Sequence, residues 1–323
     1  MMPEAHPDTN SAADATAPAA DAVAAGSDER VIRSWADRRD QPWIEALQAA
    51  FLESGATAEF RNNFYGPEAV LAGVYTGVAD LAWMAREIRD RQEIMAYQWS
   101  LLEEPFPVAF AHGGMEAETP GTQLCVIVHP SNPVGVISLD EVDAIYGWEC
   151  RRGLDRLTKW SQLEPVTSSV SGAIRPVSAP VDCVEMLHVR QVCLRNSFKW
   201  NPGIRQVFSG WEDVVNEVNK DPGSIAIVPM NFAHAGVKAV ALADRKGGNA
   251  FIPCRWTIRS EEYPLRRTRE IYLKGSVLAS SQALQGFLGF VLGDTGQRIL
   301  EEVGGLIRLS AESRKAAYGR ISV

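Results

Sequence analysis

Two arginines flanked by two aspartates follow the first strand-like segment of the chain. The sequence Asp37-Arg38-Arg39-Asp40 comes directly after an apolar run at residues 31–35. A guanidinium group can bind a carboxylate or a phosphate through two parallel hydrogen bonds. The same four side chains can instead pair with one another in a solvated turn. The pattern therefore predicts either an anion-binding loop, in which Arg38 is the main contact, or a self-paired turn.

A thiol and an imidazole, Cys183 and His188, are close in sequence. A nucleophilic cysteine needs a nearby base and a lowered pKa. Five residues of helix turn about one and a half times, so His188 does not naturally face Cys183. We therefore expect Cys183 to be buried or disulfide-bonded rather than catalytic.

The other residues that could carry chemistry have no spacing typical of a metal or nucleotide site. The five histidines are scattered, and the five cysteines include no C-x-x-C pair. The sequence has no G-x-G-x-x-G after a strand, no G-x-x-x-x-G-K-[ST] and no G-x-S-x-G. We expect no metal and no cofactor, and we find no support for a dinucleotide, nucleotide or serine-hydrolase site.

The net charge of −8 is unevenly distributed. Residues 1–29 contain six acids and no Lys or Arg, which leaves 34 acids and 32 bases in the remainder. A near-neutral body lacks the clustered positive charge of a nucleic-acid surface. No apolar run approaches the roughly 18 residues needed to span a membrane, so no transmembrane segment is expected.

The composition of residues 1–29, rich in Ala, Pro, Asp, Thr and Ser, predicts a disordered leader. It lacks the basic start and apolar run of a secretory signal peptide. We expect a periplasmic or exported protein if a signal peptide lies upstream, and a cytoplasmic protein otherwise.

The elements that must position these side chains alternate between strands and helices. Apolar runs predict strands, and Trp43, Leu47 and Phe51 fall on one face of the first helix. A capping box from Ser138 to Glu141 predicts the start of another helix. A chain of 323 residues with this order is typical of two α/β domains. The predicted strands are at residues 31–35, 58–61, 80–84, 125–128, 224–228 and 237–242.

Three segments, in order along the chain, resemble the substrate-binding proteins of phosphate ABC transporters. They are GVYTGVADLAWMAREI at 73–88, CVIVHPSNPVGVISLDEVDAIYGWECRRGLDRLTKWSQL at 125–163 and FVLGDTGQRILEEVGGLIRL at 290–309. The resemblance implies a type II periplasmic-binding-protein fold, in which two lobes, each a mainly parallel sheet flanked by helices, hold a ligand between them. It also implies a small-molecule ligand, an ABC transporter permease as a partner, and a monomer.

The resemblance places the lobes along the chain as follows. The leader occupies residues 1–29, lobe 1 occupies 30–127 plus 243–323, and lobe 2 occupies 128–242.

The phosphate-binding positions of the family are not retained. Its Ser/Thr-bearing turn after the first strand is replaced by Asp37–Asp40, and its Gly-Ser or Gly-Thr turn is replaced by Gly66-Pro67. Where the family has an Arg followed by Ser-Gly-Thr, this chain has Ser178 and then Asp182. A carboxylate about 4 Å from an anion would cost about 4 kcal/mol at an effective dielectric near 20. Free phosphate is therefore not the expected ligand.

Ligands of open α/β sheets bind beyond the carboxyl ends of the strands, where helix N-termini also converge. In this chain those places are far apart in sequence, and we expect them to meet in one cleft. Trp83 would form its apolar wall, with packing in the core as the alternative. The predicted lining residues are Asp37, Arg38, Tyr65, Gly66, Trp83, Arg86, Ser178 and Asp182.

The sequence leaves three functions open. The first is a solute-binding protein whose ligand is larger than phosphate and partly apolar or aromatic. The second is an enzyme on the same fold acting on a small organic molecule, because a fold does not determine function. The third is a ligand-free scaffold for another protein.

Overall fold

A computed structural model describes residues 30–89, 92–116, 121–163, 172–234 and 236–322. The predicted leader at residues 1–29 lies outside the described residues. The rest forms two α/β lobes, each built on one sheet, so the predicted two-lobed fold is confirmed.

Twelve strands are present in the described ranges. They are β1 (Val31–Asp37), β2 (Glu59–Tyr65), β3 (Leu81–Trp83), β4 (Phe106–His112), β5 (Leu124–Val128), β6 (Val136–Ser138), β7 (Arg175–Ser178), β8 (Arg205–Gln206), β9 (Ser224–Pro229), β10 (Lys238–Ala243), β11 (Ala250–Phe251) and β12 (Thr268–Leu273).

Eleven α-helices lie between and around these strands in the same ranges. They are α1 (Gln41–Glu53), α2 (Ala72–Tyr75), α3 (Gln92–Leu101), α4 (Leu139–Tyr146), α5 (Val184–Val192), α6 (Trp211–Lys220), α7 (Arg255–Arg259), α8 (Gly275–Ser280), α9 (Gln282–Leu292), α10 (Asp294–Glu302) and α11 (Ala311–Ile321). None of the helices described is long and apolar enough to cross a membrane.

The sheet of lobe 1 has the order β2-β1-β3-β12-β4. Its first three strands are parallel, whereas β12 is antiparallel to both of its neighbours. The sheet of lobe 2 has the order β11-β10-β5-β9-β7-β8, with β6 beside β10. It also mixes parallel and antiparallel pairs. The antiparallel pairs were not apparent from the alternation of strands and helices, because that alternation does not report strand direction.

The boundary between the lobes differs from the predicted one. Strand β5 pairs with β9 and β10, so it belongs to lobe 2 and not to lobe 1. The segment that follows β10 also stays in lobe 2, where Tyr263 and Leu265 pack into its core. Among the described residues, those between 30 and 112 and between 268 and 322 therefore belong to lobe 1, and those between 124 and 265 belong to lobe 2. A short apolar strand carries no signal for the sheet it joins, which explains the error.

Two chain segments connect the lobes, and the side chain of Gln123 joins them. Its amide nitrogen donates to the carbonyl oxygens of Gly113 and Arg267 at 3.0 and 2.8 Å. Its amide oxygen accepts from the backbone N–H of Arg267 at 2.8 Å. Gln123 is fully buried, so these three bonds replace the water that its amide would otherwise bind.

Aromatic side chains fill the core of lobe 1. The ring of Trp83 lies 5.3 Å from Trp43, 5.1 Å from Phe110 and 6.1 Å from Phe287, in edge-to-face contacts. Such contacts stabilise a core beyond the burial of their area. In lobe 2, the predicted capping box is present at the start of α4, where Ser138 and Glu141 satisfy each other's backbone N–H groups.

The buried imidazole of His112 should make stability depend on pH. Burial lowers the pKa of His112 to about 4, and its Nε2 atom has no hydrogen-bond partner among the described residues. The pKa of His112 is lower in the folded state than in the unfolded state. The stability gained by keeping His112 neutral is therefore complete above about pH 6.5 and is lost as the pH falls toward 4. We expect a loss of about 2 kcal/mol between pH 7 and pH 5.

Denaturant unfolding of the wild type and of His112→Asn at both pH values measures this contribution. The variant should lose less stability than the wild type on acidification. Equal losses in the two proteins would show that His112 does not resist protonation in the folded state.

Candidate functional site

A cavity of about 520 Å³ lies between the lobes. Lobe 1 contributes side chains that follow β1, β2 and β3, and lobe 2 contributes the starts of α5 and α6 and the segment after β9. Thr122, in a connecting segment, also faces it. The lining residues are Arg39, Pro67, Glu68, Arg89, Thr122, Asp182, Cys183, Val184, Glu185, Trp211, Pro229, Asn231 and Phe232.

The two arginines of the lining are already paired within lobe 1. Arg39 binds the carboxylate of Asp37 through Nε at 3.0 Å and through Nη2 at 3.2 Å. Arg89 forms a short ion pair with Glu68. The positive charges of lobe 1 are therefore balanced before any ligand enters.

The carboxylates contributed by lobe 2 are not balanced in this way. Asp182 is exposed and forms no ion pair with any described residue. Glu185 approaches the guanidinium of Arg267 at 4.0 Å, but that guanidinium is bound to the carboxylate of Glu87. Asp182 and Glu185 thus give the lobe 2 side of the cavity an excess of negative charge.

Apolar side chains and one amide complete the lobe 2 side. Trp211 begins α6, and Phe232 follows β9; both rings are half-buried. The Oδ1 atom of Asn231 is buried and finds no donor among the described residues. The lobe 2 wall therefore offers aromatic surface together with hydrogen-bond acceptors.

Cys183 is half-buried in the lining, and burial raises the pKa of its thiol to about 12. At neutral pH the sulfur is therefore a protonated thiol and not a nucleophilic thiolate. The structure forms no disulfide, and all five cysteines are free thiols. His188, five residues along α5, directs its Nδ1 atom to Glu87 instead of Cys183.

A buried ionic cluster lies beside the cavity. Glu87 accepts hydrogen bonds from Nε and Nη2 of Arg267, each at 2.8 Å, and its Oε1 atom is 3.0 Å from Nδ1 of His188. Burial alone would raise the pKa of Glu87, but the charges of Arg267 and His188 outweigh burial and hold that pKa well below its usual range. Glu87 is therefore charged at neutral pH.

The structure corrects the prediction for Trp83. Its side chain is fully buried in the lobe 1 core, so it cannot form a wall of the cavity. The strand β3 ends at Trp83, and the strand-end rule placed it at the cleft. The rule locates the end of a strand but does not say to which side a side chain points, and core packing decided the direction here.

Three further predicted residues also lie away from the lining. Asp37 is buried against Arg39, Ser178 is buried with its hydroxyl donating to the carbonyl of Ala179, and Arg38 is exposed outside the cavity. Arg39, and not Arg38, therefore lines the cavity, and its pairing with Asp37 matches the alternative of a self-paired turn.

Of the last four predicted residues, two lie at or beside the cavity lining and two lie away from it. Asp182 lines the cavity, and Gly66 directly precedes the lining residue Pro67. Tyr65 stacks on Trp35 with ring centroids 4.6 Å apart, and Arg86 forms a bidentate ion pair with Glu93. Neither Tyr65 nor Arg86 lines the cavity.

Sequence reasoning missed the lining residues that follow β9 and begin α6. The strand β9 was predicted from the sequence. The rule that ligands bind beyond the carboxyl ends of strands, which was applied to lobe 1, also points to Asn231 and Phe232. Trp211 directly follows Gly210, as Pro67 follows Gly66. Among the described residues, no cluster of His, Cys, Asp or Glu is arranged to hold a metal ion.

Two α/β lobes joined by two connecting segments, with a cavity between them, define a two-lobed periplasmic-binding-protein fold. The solved structure of PstS from Borrelia burgdorferi is similar, with a TM-score of 0.60 and 16% identity over 87% of this chain and 100% of that one. An ABC-type phosphate transport receptor from Vibrio cholerae is similar with a TM-score of 0.56 and 16% identity, over 85% and 99% of the two chains.

The sequence comparison points to the same group. The chain is 25% identical over 242 residues to the phosphate-binding protein PstS of Pseudomonas aeruginosa, a match that covers 71% of this chain and 68% of that protein. No family model matches the chain. The chain is therefore similar, in sequence and in fold, to PstS-like substrate-binding proteins of phosphate ABC transporters.

Proposed function

We propose that the protein is a solute-binding protein whose interlobe cavity takes a small organic cation with an apolar or aromatic body. The observation that carries this proposal is the presence of the carboxylates of Asp182 and Glu185 in the same cavity as Trp211 and Phe232. Asp182 forms no ion pair with a described residue, and Glu185 shares the guanidinium of Arg267 with Glu87. A volume of about 520 Å³ lies within the usual range of small-molecule sites.

The chemistry of the wall supports a ligand that donates hydrogen bonds. An ammonium group has three donors and a positive charge, which suit Asp182, Glu185 and the unpaired Oδ1 atom of Asn231. An aromatic face also attracts a cation, and the attraction is strongest over tryptophan. Trp211 and Phe232 would contact the body of the ligand while the carboxylates bind its charge.

Free phosphate, which the relatives bind according to their names, fits this wall poorly. The cavity contains two arginines and three carboxylates, and each arginine is paired with a lobe 1 carboxylate. An anion would have to displace one of these pairs and approach Asp182 as well. Calorimetry with inorganic phosphate at about 1 mM should show no specific binding, because we expect any dissociation constant for phosphate to be weaker than this concentration. A micromolar dissociation constant would favour phosphate as the ligand.

A matched pair of probes tests the charge preference directly. Tryptamine carries an ammonium group, and tryptophol has the same indole ring with a hydroxyl in its place. We expect tryptamine to bind the wild-type protein more tightly than tryptophol. Asp182→Asn should weaken tryptamine by about 1.5–3 kcal/mol, or roughly ten- to a hundredfold, and leave tryptophol unchanged.

Asp244→Asn is the matched control, because Asp244 is exposed and does not line the cavity. It should leave binding of both probes unchanged. Equal affinity of the wild type for the two probes, or equal weakening by the two variants, would contradict the proposed charge preference.

The relatives also suggest the setting of the protein. A similar solved structure from Clostridium perfringens is a putative phosphate ABC transporter substrate-binding protein. By analogy, we propose that this chain works outside the cytoplasm and delivers its ligand to an ABC transporter permease. Delivery requires that the lobes open and close around the ligand.

A further inference from the structure

The cluster of Glu87, Arg267 and His188 connects three parts of the fold. Glu87 follows β3 in lobe 1, Arg267 lies in the connecting segment before β12, and His188 lies in α5 of lobe 2. All three side chains are largely buried, with exposed fractions of 16%, 1% and 7%. A carboxylate of lobe 1 therefore binds a side chain of lobe 2 directly.

The geometry around Arg267 is that of an occupied anion receptor. The fork of a guanidinium matches a carboxylate or a phosphate, and here Glu87 takes both positions at 2.8 Å. The remaining nitrogen, Nη1, donates to the carbonyl oxygen of Thr122 at 3.3 Å. The Oε1 atom of Glu87 contacts two nitrogens, Nε of Arg267 and Nδ1 of His188. The Nε and Nη2 side of the Arg267 fork is thus filled by Glu87, and Nη1 also lies 4.0 Å from the carboxylate of Glu185.

We propose that Glu87 is a specificity-determining residue that serves as the chain's own anion. By filling the receptor formed by Arg267 and His188, it excludes small oxyanions from this position and holds α5 against lobe 1. The proposal rests on the proposed function only in requiring that the wild-type protein does not bind free phosphate.

A second contact between the same segments supports the role in holding the lobes together. The side-chain amide of Gln191, one turn after His188 on α5, donates to the backbone carbonyl of Ile88 at 2.7 Å. Residues 87 and 88 are thus bound to adjacent turns of one lobe 2 helix. The N-terminal end of that helix carries Val184 and Glu185 of the interlobe cavity.

Removing the Glu87 side chain would leave room for a small ion. Glu87 lines a second cavity of about 240 Å³, so the vacated position would be open to this space. Glu270 lines the same cavity, and its carboxylate accepts a hydrogen bond from the hydroxyl of Tyr272 at 2.7 Å. A tetrahedral oxyanion could then reach the fork of Arg267.

The test compares Glu87→Ala with Glu87→Gln, using inorganic phosphate as the probe. Alanine empties the receptor, whereas glutamine keeps it filled with a side chain of the same shape. Calorimetry should show that Glu87→Ala binds phosphate at least about tenfold more tightly than either the wild type or Glu87→Gln, because bonds between charged partners are the strong ones. Arg267→Met in the Glu87→Ala background should abolish the gain.

A folded Glu87→Ala protein with no gain in phosphate affinity would overturn the proposal. If Glu87→Ala does not fold alone, phosphate should restore its native circular dichroism by replacing the missing charge, and failure of that restoration would also overturn it. These outcomes differ from failure of the proposed function, in which the wild type itself would bind phosphate or would not distinguish tryptamine from tryptophol.

Discussion

Asp40→Asn is expected to destabilise the protein by about 3–5 kcal/mol, because it leaves a buried arginine without its counter-ion. Arg269 binds Asp40 through two nitrogens at 3.0 and 2.5 Å, and both residues are almost inaccessible to solvent. Trp43 donates its indole N–H to the same carboxylate at 3.2 Å. Asparagine keeps the shape and the oxygen that accepts from Trp43, so the variant isolates the loss of charge. Denaturant unfolding measures the change.

Asp294→Asn is the matched control, since Asp294 also pairs with an arginine, Arg314, but is almost fully exposed. It should leave stability little changed, as exposed ion pairs contribute little. The double variant Asp40→Leu/Arg269→Met should recover part of the loss, because apolar side chains can replace a buried ion pair. Equal effects of Asp40→Asn and Asp294→Asn would contradict the expectation.

Trp83→Ala is expected to cost about 3–5 kcal/mol of stability, the usual range for removing a large buried aromatic side chain. Its ring is in edge contact with three aromatic rings, and no part of it is exposed. The folded variant should bind tryptamine with the wild-type affinity, since Trp83 does not line the interlobe cavity. Thermal unfolding and calorimetry on the same samples separate the two effects.

Trp256→Ala provides the comparison, because Trp256 is 64% exposed and lies outside the core. It should change neither stability nor binding appreciably. A Trp83→Ala protein that keeps its stability but loses its ligand would restore the original prediction that Trp83 is a wall of the cleft.

The fold could be predicted further from the sequence than the site. Apolar runs located six of the twelve described strands, and the capping box at Ser138 marked the start of α4. These signals are local, so a single segment contains them. The sheet to which β5 belongs depends on its pairing with β9, about one hundred residues later. No local pattern specifies such a partner.

The site was harder to predict because it depends on the directions of side chains. Arg38 and Arg39 are adjacent in a polar turn, and nothing in the sequence indicates which one faces the cavity. The same difficulty applies to Glu87, which reads as a surface acid until Arg267 and His188 are seen beside it. Asp182 lines the cavity as predicted from the resemblance, because it precedes α5 and its side chain is exposed there; its role in binding stays a prediction.

The position of β12 in the middle of the lobe 1 sheet has a consequence for synthesis. Lobe 2 is one continuous stretch of chain, so all of its described strands are available as soon as that stretch has been made. Lobe 1 lacks the strand that separates β3 from β4 until the chain has grown far beyond them; Met84 and Arg269, which are hydrogen-bonded, are 185 residues apart. At ordinary elongation rates this interval lasts roughly ten to forty seconds. During that time the unpaired edges of β3 and β4 can pair with other chains, so aggregation during synthesis is expected to start in the N-terminal half.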